Sequence, residues 1–111
     1  MPKPYFDIQQ FGEQTDIYIF GDIVRYAYED SQETSAYSLV QQLKKTPDAA
    51  EINLHIDSFG GNVSEGWAIY NALQGSRARV TSYADGFVAS AAIYPFLAGQ
   101  ERIASNVSAF Y

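Results

Sequence analysis

The chain has 111 residues, 47% of them hydrophobic and 18% charged, which is typical of one globular domain spanning residues 1–111. A formal net charge of −6 leaves no basic surface, so a nucleic-acid partner is not expected. The absence of cysteine excludes disulfides, thiolate catalysis and cysteine-based zinc sites. A single histidine with scattered carboxylates favours no metal site either.

No apolar run approaches the ~20 residues that cross a bilayer, so no membrane partner is expected. The first residues also lack the apolar core of a signal peptide. These two observations predict a cytoplasmic protein.

The first part of the chain predicts one strand and one helix. Residues 1–15 are polar and irregular, whereas residues 16–20 (DIYIF) have the composition of a strand. The polar residues 28–34 predict a loop. From Ser35 onward apolar side chains recur at helical spacing, and Pro47 ends this predicted helix.

The middle of the chain repeats the strand and helix signals. Residues 52–57 alternate apolar and polar side chains, as a half-buried strand does. Asn62 and Glu65 have the spacing of a capping box, with Asn in place of the usual Ser or Thr. Apolar residues at helical spacing then predict a helix over residues 63–73, which Gly75 ends.

The last part of the chain predicts a third strand and a third helix. Residues 79–84 read as a strand, residues 85–86 (Asp-Gly) as a turn, and the Ala-rich residues 87–97 as an apolar helix. Two short strands follow at residues 102–104 and 108–111. Strands that alternate with helices indicate the α/β class, with a mainly parallel sheet and crossover helices.

A glycine-rich segment lies between the second predicted strand and the second helix. Its paired glycines, Gly60 and Gly61, let the backbone turn sharply, and the backbone N–H groups can then point at a ligand oxygen. Taken alone, the same glycines also fit an ordinary strand-to-helix turn.

Ser90 is the second candidate, because it follows the third strand at the start of an apolar helix. The N–H of the adjacent Ala91 could stabilise an oxyanion. A serine packed in an Ala-rich helix is the alternative. Both candidates follow parallel strands, where α/β sheets gather their sites, and together they offer what acyl transfer needs: a nucleophile and backbone donors.

Residues 52–70 and 86–91 resemble two segments of the Clp protease proteolytic subunit, the glycine-rich segment and the one around the nucleophile. Residues 17–23 resemble the family's early strand and turn. Phe59 stands where the family usually has Pro. The resemblance covers nearly the whole chain, corresponds to the N-terminal part of the family domain, and is strongest to the prophage and prohead-protease branch.

The resemblance implies the Clp/crotonase spiral of ββα units, truncated at the C-terminus. It implies that Ser90 is the nucleophile and that Gly60 and Ala91 donate the oxyanion-hole N–H groups. It also implies an edge that pairs with extended peptide substrate, formed by Gly61, Asn62 and Val63.

The activity implied is that of an ATP-dependent type of serine endopeptidase, which hydrolyses peptide bonds through an acyl-enzyme on Ser90 without a cofactor. The resemblance also implies a polypeptide substrate, a ring-forming homo-oligomer, and an AAA+ unfoldase or phage capsid proteins as partners.

The family's catalytic histidine follows the strand at residues 108–111, and this chain ends before it, so we expect an inactive fragment. His55 shares a strand face with Asn53 and Asp57, and a structural role is expected for it. Two alternatives stay open: a degenerate, non-catalytic subunit or phage assembly factor, and a crotonase-type enzyme acting on acyl-CoA.

Overall fold

The computed structural model describes residues 6–11, 14–27, 33–45 and 51–111. In these residues, strands and helices follow one another as the sequence predicts for an α/β protein. The strands are Phe6–Phe11 (β1), Gln14–Phe20 (β2), Glu51–Ser58 (β3), Arg79–Val88 (β4), Glu101–Ala104 (β5) and Ala109–Phe110 (β6). The helices are Ala36–Lys45 (α1), Val63–Gln74 (α2) and Ile93–Leu97 (α3), and a 3-10 turn at Ser90–Ala92 precedes α3.

The described strands form one sheet in the order β1-β2-β3-β4-β5. The strands from β2 to β5 are parallel, and only β1 runs antiparallel to its neighbour β2. β5 pairs with β4 as far as Ala84, and β6 then pairs with Phe87 and Val88 farther along the same strand. The predicted α/β class with a mainly parallel sheet is confirmed.

Strand alternation gives the sheet two different faces. The apolar residues at alternate positions of β2, β3 and β4 turn toward the helices and are fully buried, whereas their neighbours on the other face are half-buried or exposed. The core between sheet and helices consists mainly of Ile17, Ile19, Leu39, Leu54, Ile56, Ile69, Leu73, Val80, Ala84 and Phe96. Burying each of the larger side chains contributes roughly 1.5–3 kcal/mol.

The start of α2 holds two helices together. The side chain of Asn62 accepts a hydrogen bond from the N–H of Glu65 at 3.0 Å, which is the cap that the sequence predicts. The Glu65 carboxylate does not complete the capping box, because it accepts from the N–H of Ala36 at 2.9 Å. Glu65 therefore satisfies a free N–H at the start of α1, where a negative charge is favourable.

The prediction that residues 1–15 are irregular is wrong from Phe6 onward, where β1 begins. β1 pairs with β2 in a continuous antiparallel register from Phe6 opposite Ile19 to Phe11 opposite Gln14. Consecutive glutamines interrupt the alternation of apolar residues in β1, so its periodicity alone does not reveal a strand.

The predicted turn at residues 85–86 is also wrong, because β4 runs on to Val88. A carboxylate oxygen of Asp57 accepts a hydrogen bond from the N–H of Phe87 at 2.9 Å, close to an irregularity in the pairing of β3 and β4. Gly86 makes this approach possible, since a Cβ there would lie 2.4 Å from the same Asp57 oxygen. The predicted helix over residues 87–97 is correspondingly shorter.

Pro95 fits this shorter helix without a kink. It is the third residue of α3, where a backbone N–H has no partner within the helix, so its missing donor removes no hydrogen bond from the helix. α1 ends at Lys45, whereas Pro47 and most of the loop predicted at residues 28–34 lie outside the described residues.

Gly66 lies within α2 and Gly75 caps its C-terminus, and the space around each shows how closely this helix packs. A Cβ on the buried Gly66 would lie 2.6 Å from the carbonyl oxygen of Ala91, whereas a Cβ on Gly75 would meet nothing closer than 3.4 Å. We expect Gly66→Ala to lower the free energy of unfolding by about 1–3 kcal/mol through overpacking. Gly75→Ala, the matched control, should leave it unchanged or raise it, and urea denaturation of both variants measures the difference. Equal stability of the two variants would contradict this packing.

Candidate functional site

Ser90 sits at a sharp turn where the sheet gives way to the third helix. β4 ends at Val88, Ala89 is still extended, and Ser90 then has a φ of +53° before the 3-10 turn continues. It is the one non-glycine among the described residues with a positive φ. Non-glycine residues rarely adopt this backbone conformation, and those that do cluster at functional sites. Ala89 and Ala91 are buried while Ser90 is exposed, so the turn presents the hydroxyl-bearing residue to solvent.

The glycine bend lies directly against this turn. Gly60 and Gly61 have φ values of +97° and +138°, which L side chains rarely adopt. A Cβ on Gly60 would lie 2.5 Å from the carbonyl oxygen of Ala89 and 2.9 Å from the Cβ of Ser90. The two segments that the sequence singles out are therefore in contact, and only a residue without a side chain permits it.

The hydrogen bonds around the bend decide which of its amides is free. The N–H of Gly60 donates to the Ser58 hydroxyl at 3.0 Å, and the Gly60 carbonyl accepts from the N–H of Ile23 at 2.8 Å. A trans peptide points its C=O and N–H in opposite directions, so the N–H of Gly61 points away from Ile23. Since β3 lies between β2 and β4, that direction leads toward Ser90.

The expectation that Gly60 donates to the oxyanion is therefore not what the described hydrogen bonds favour. Its amide is already bonded to a buried side chain. In the part of the chain that the structure describes, no acceptor takes the N–H of Gly61 or that of Ala91, whereas the amides on either side of Ala91 are both hydrogen-bonded. The sequence singles out the two glycines that form the bend, but it does not show which of their amides lacks an acceptor.

The expected substrate edge is shorter in the structure than the sequence implies. The N–H of Asn62 donates to the Ile23 carbonyl at 2.8 Å, and its carbonyl accepts from Gly66 as α2 begins. Val63 is already the first residue of that helix. Among the three predicted edge residues, Gly61 has the main-chain groups that turn away from Ile23 and can pair with another chain.

An open groove of about 560 Å³ flanks the bend on the side of Ile23. Its walls include Asp22, Arg25 and Phe59, and Ser90 is not among its lining residues. The guanidinium of Arg25, protonated at any physiological pH, gives this wall a positive charge, and a hydrogen bond to Tyr26 raises its pKa further above its ordinary value. The groove therefore offers a mixed apolar and charged surface next to the bend, apart from the nucleophile.

His55 lies on the face of the sheet away from the helices. Its ring is stacked between Tyr18 and Tyr83 at centroid distances of 4.8 and 4.7 Å, and its Nδ1 lies 2.8 Å from an Asp85 oxygen. Tyr83 is its neighbour on β4, and the strand advances roughly 16 Å from there to Val88 at about 3.3 Å per residue. His55 is thus too far from Ser90 to share its proton, and the predicted structural role fits the geometry.

The other edge of the site is formed by the last residues of the chain. The N–H of Ser90 donates to the carbonyl of Tyr111 at 2.8 Å, and the N–H of Tyr111 donates to Val88 at 3.2 Å. β6 thus extends the sheet beside Ser90. Among the described residues, no three His, Asp or Glu side chains gather as a metal site, and no described helix has the length and apolar sequence that a membrane crossing requires.

The sequence profile of the Clp protease family matches residues 9–109, which include the bend, Ser90 and the first residue of β6. The chain belongs to the Clp protease family. This is a family of serine peptidases, in agreement with a serine on a strained turn beside free backbone amides. No curated protein sequence matches the chain.

Solved structures place this Clp-family chain in the Clp/crotonase fold. ClpP1 from Listeria monocytogenes matches with a TM-score of 0.67 and 24% identity over 88% of this chain and 54% of ClpP1. Enoyl-CoA hydratases from Streptomyces coelicolor and Bacillus halodurans both match with a TM-score of 0.65, at 12% and 14% identity, over 96% of this chain and 47% and 52% of theirs. The chain thus spans about half the length of these proteins, and the predicted fold is confirmed.

The strained backbone of Ser90 predicts an unusual order of stabilities. Ser90→Gly and Ser90→Ala both remove the hydroxyl, but only Ala keeps a Cβ at a φ of +53°. Because the left-handed conformation costs an L residue about 1–2 kcal/mol, we expect Gly to be the more stable replacement by about 1 kcal/mol. At the helical Ser64 the order should reverse, since Gly disfavours a helix. Thermal denaturation of the four variants measures both differences, and Ala above Gly at position 90 would contradict the strained turn.

Proposed function

We propose that the chain is the nucleophile-bearing part of a Clp-type serine endopeptidase, in which Ser90 attacks the carbonyl carbon of a peptide bond. The observation that carries this proposal is the contact of the glycine bend with Ser90 and Ala91. One substrate carbonyl can then lie next to the hydroxyl and the free amides at once. This is the arrangement that acyl transfer requires.

The amides of Gly61 and Ala91 are the proposed oxyanion donors. As Ser90 Oγ bonds to the carbonyl carbon, the carbonyl oxygen gains negative charge, and two preorganised N–H groups stabilise it. Losing one such donor in a serine peptidase typically costs about 2.7–4 kcal/mol of transition-state stabilisation. Gly60, the donor expected from sequence, instead supplies the close approach that brings Ala91 to the bend.

The substrate is proposed to be an extended polypeptide that pairs with the main chain at Gly61. Its N–H and C=O share the side that faces away from Ile23, because Ile23 is bonded to the groups of the residues on either side. A strand added at this position would bring its own carbonyls past Ser90, a mode in which main-chain hydrogen bonds supply affinity. Asn62 and Val63 would contact such a peptide through their side chains.

The proton of the Ser90 hydroxyl needs a base, and the part of the chain that the structure describes brings no histidine within reach of it. His55 is the single histidine and lies on the other face of the sheet. The hydrogen bond between Ser90 and Tyr111 indicates where a base would enter, since a residue joined after Tyr111 starts beside the nucleophile. We infer that the active parent protein carries its imidazole there and that the 111-residue polypeptide is inactive on its own.

The family forms oligomers, and a ring of this chain in the parent protein is part of the proposal, as are a cytoplasmic location and an AAA+ unfoldase or phage capsid proteins as partners. A non-catalytic subunit or phage assembly factor is the second candidate, because His55, the single histidine of these 111 residues, is held away from Ser90. The fold shared with enoyl-CoA hydratases also admits acyl-CoA chemistry, where paired amides hold a thioester oxygen. Ser90 on a strained, exposed turn favours the peptidase.

Fluorophosphonate labelling at neutral pH tests the catalytic proposal. The 111-residue polypeptide should label at Ser90 as slowly as a denatured chain, because a serine hydroxyl without an adjacent base is a weak nucleophile. A polypeptide continued with the codons that follow Tyr111 should label fast, and its Ser90→Ala variant should not label. Fast stoichiometric labelling of the 111-residue polypeptide would overturn the inactivity. No labelling of the longer polypeptide, or a stop codon directly after Tyr111, would favour the non-catalytic subunit.

A further inference from the structure

Ser58, the last residue of β3, has a buried hydroxyl at the base of the glycine bend. Only 2% of the residue is exposed, and its side chain points into the protein as strand alternation requires. Its carbonyl accepts from the N–H of Ala89 at 3.1 Å, so the same residue ties β3 to the approach to Ser90. Neither the motif nor the proposed chemistry gives its side chain a role.

The Ser58 hydroxyl joins two backbone groups that have no other hydrogen-bond partner among the described residues. Its O–H donates to the carbonyl of Gly21 at 2.5 Å, and its oxygen accepts the N–H of Gly60 at 3.0 Å. Gly21 is itself held, since its N–H donates to the carbonyl of Asp57 at 3.1 Å. Because the one hydroxyl proton of Ser58 is donated to Gly21, the oxygen lone pairs face the N–H of Gly60, and the O–H group cannot rotate freely about the Cβ–Oγ bond.

We propose that Ser58 is the positioning residue of the oxyanion bend, an inference that rests on the proposed function. By holding the N–H of Gly60, the hydroxyl fixes the peptide plane before Gly60 at its unusual φ. The bond from Ile23 to the Gly60 carbonyl fixes the next plane. With both planes fixed, the N–H of Gly61 keeps its direction toward Ser90.

Ser58 differs from a residue that only fills space, because its hydroxyl makes two hydrogen bonds to the backbone. An alanine would keep the Cβ and the packing but leave the Gly60 N–H and the Gly21 carbonyl without partners in a buried place, where an unmade hydrogen bond is unfavourable. The peptide plane before Gly60 could then rotate to find another acceptor, and the Gly61 amide would lose its direction. Ser58 touches no substrate in this scheme and acts through the bend.

Ser82 provides a matched control. It is also a fully buried serine of the sheet, on β4, and its hydroxyl has no hydrogen-bond partner among the described residues. Ser82→Ala removes the same atom from a buried site as Ser58→Ala does, but it breaks no hydrogen bond to the bend. Ser58→Thr provides the rescue, because it keeps a hydroxyl on the same Cβ.

The experiment uses the 15N-labelled 111-residue polypeptide and four proteins: the unmodified chain, Ser58→Ala, Ser58→Thr and Ser82→Ala. NMR hydrogen exchange of the Gly60 amide should be about tenfold faster in Ser58→Ala, as expected for one lost hydrogen bond, and the Gly61 and Ala91 amide shifts should move. Ser58→Thr should restore slow exchange, and Ser82→Ala should match the unmodified chain. If Ser58→Ala does not fold, Ser58→Cys, a weaker hydrogen-bond partner of similar size, takes its place.

A second measurement reads the oxyanion site itself. At alkaline pH, hydroxide replaces the missing base, and the rate of fluorophosphonate reaction at Ser90 then reports the backbone donors. We expect Ser58→Ala to lower this rate at least about tenfold, with its pH dependence unchanged, and Ser58→Thr to restore it. A rate in the unmodified chain no higher than in urea would refute the proposed function alone. Unchanged exchange at Gly60 in a folded Ser58→Ala, or equal effects in Ser82→Ala, would refute the role of Ser58.

Discussion

The close approach of two backbones, at Gly60 and at Ala89–Ala91, is the constraint on which the site depends. A Cβ at Gly60 would fall 2.8 Å from the amide nitrogen of Ala91, so no other residue leaves room for that contact. Gly66 imposes the same condition from α2, where a Cβ would strike the Ala91 carbonyl. The turn that carries Ser90 is thus held between the bend and α2 by two positions without a side chain.

The two backbones are held close together by hydrogen bonds that continue the order of the sheet. At and beyond the ends of the strands, the N–H of Ile23 still donates to the carbonyl of Gly60. The N–H of Ala89 donates to Ser58, and that of Ser90 donates to Tyr111. Gly61, Ala91 and Ser90 are therefore positioned by the lateral order of the strands, which the buried apolar faces fix. A site built in this way sits on a rigid scaffold, and only its conformational strain at Ser90 and at the two glycines is local.

Much of this fold can be predicted from sequence, because β2, β3 and the helices have strong periodicity. The failures share a cause, which is that long-range pairing overrides a local signal. Asp85 and Gly86 are a typical turn dipeptide, yet β4 continues because Asp57 accepts the N–H of Phe87 and Gly86 leaves space for it. In the candidate site, the motif singles out Ser90 and the glycines but not which amide lacks an acceptor. Which amide is free depends on the hydrogen-bond partners of each peptide group, above all on the Ser58 hydroxyl. From the sequence, Ser58 is recognisable only as the residue that follows a strand.

The single histidine and the last strand, β6, lie in different places relative to Ser90. His55 stacks between two tyrosines and bonds to Asp85 on the open face, so its ring is held in place by interactions that have nothing to do with Ser90. β6, by contrast, delivers the backbone of Tyr111 to within a hydrogen bond of the nucleophile. Under the proposed function, a base that follows Tyr111 would approach Ser90 along the direction of β6, because the end of that strand already lies within a hydrogen bond of Ser90.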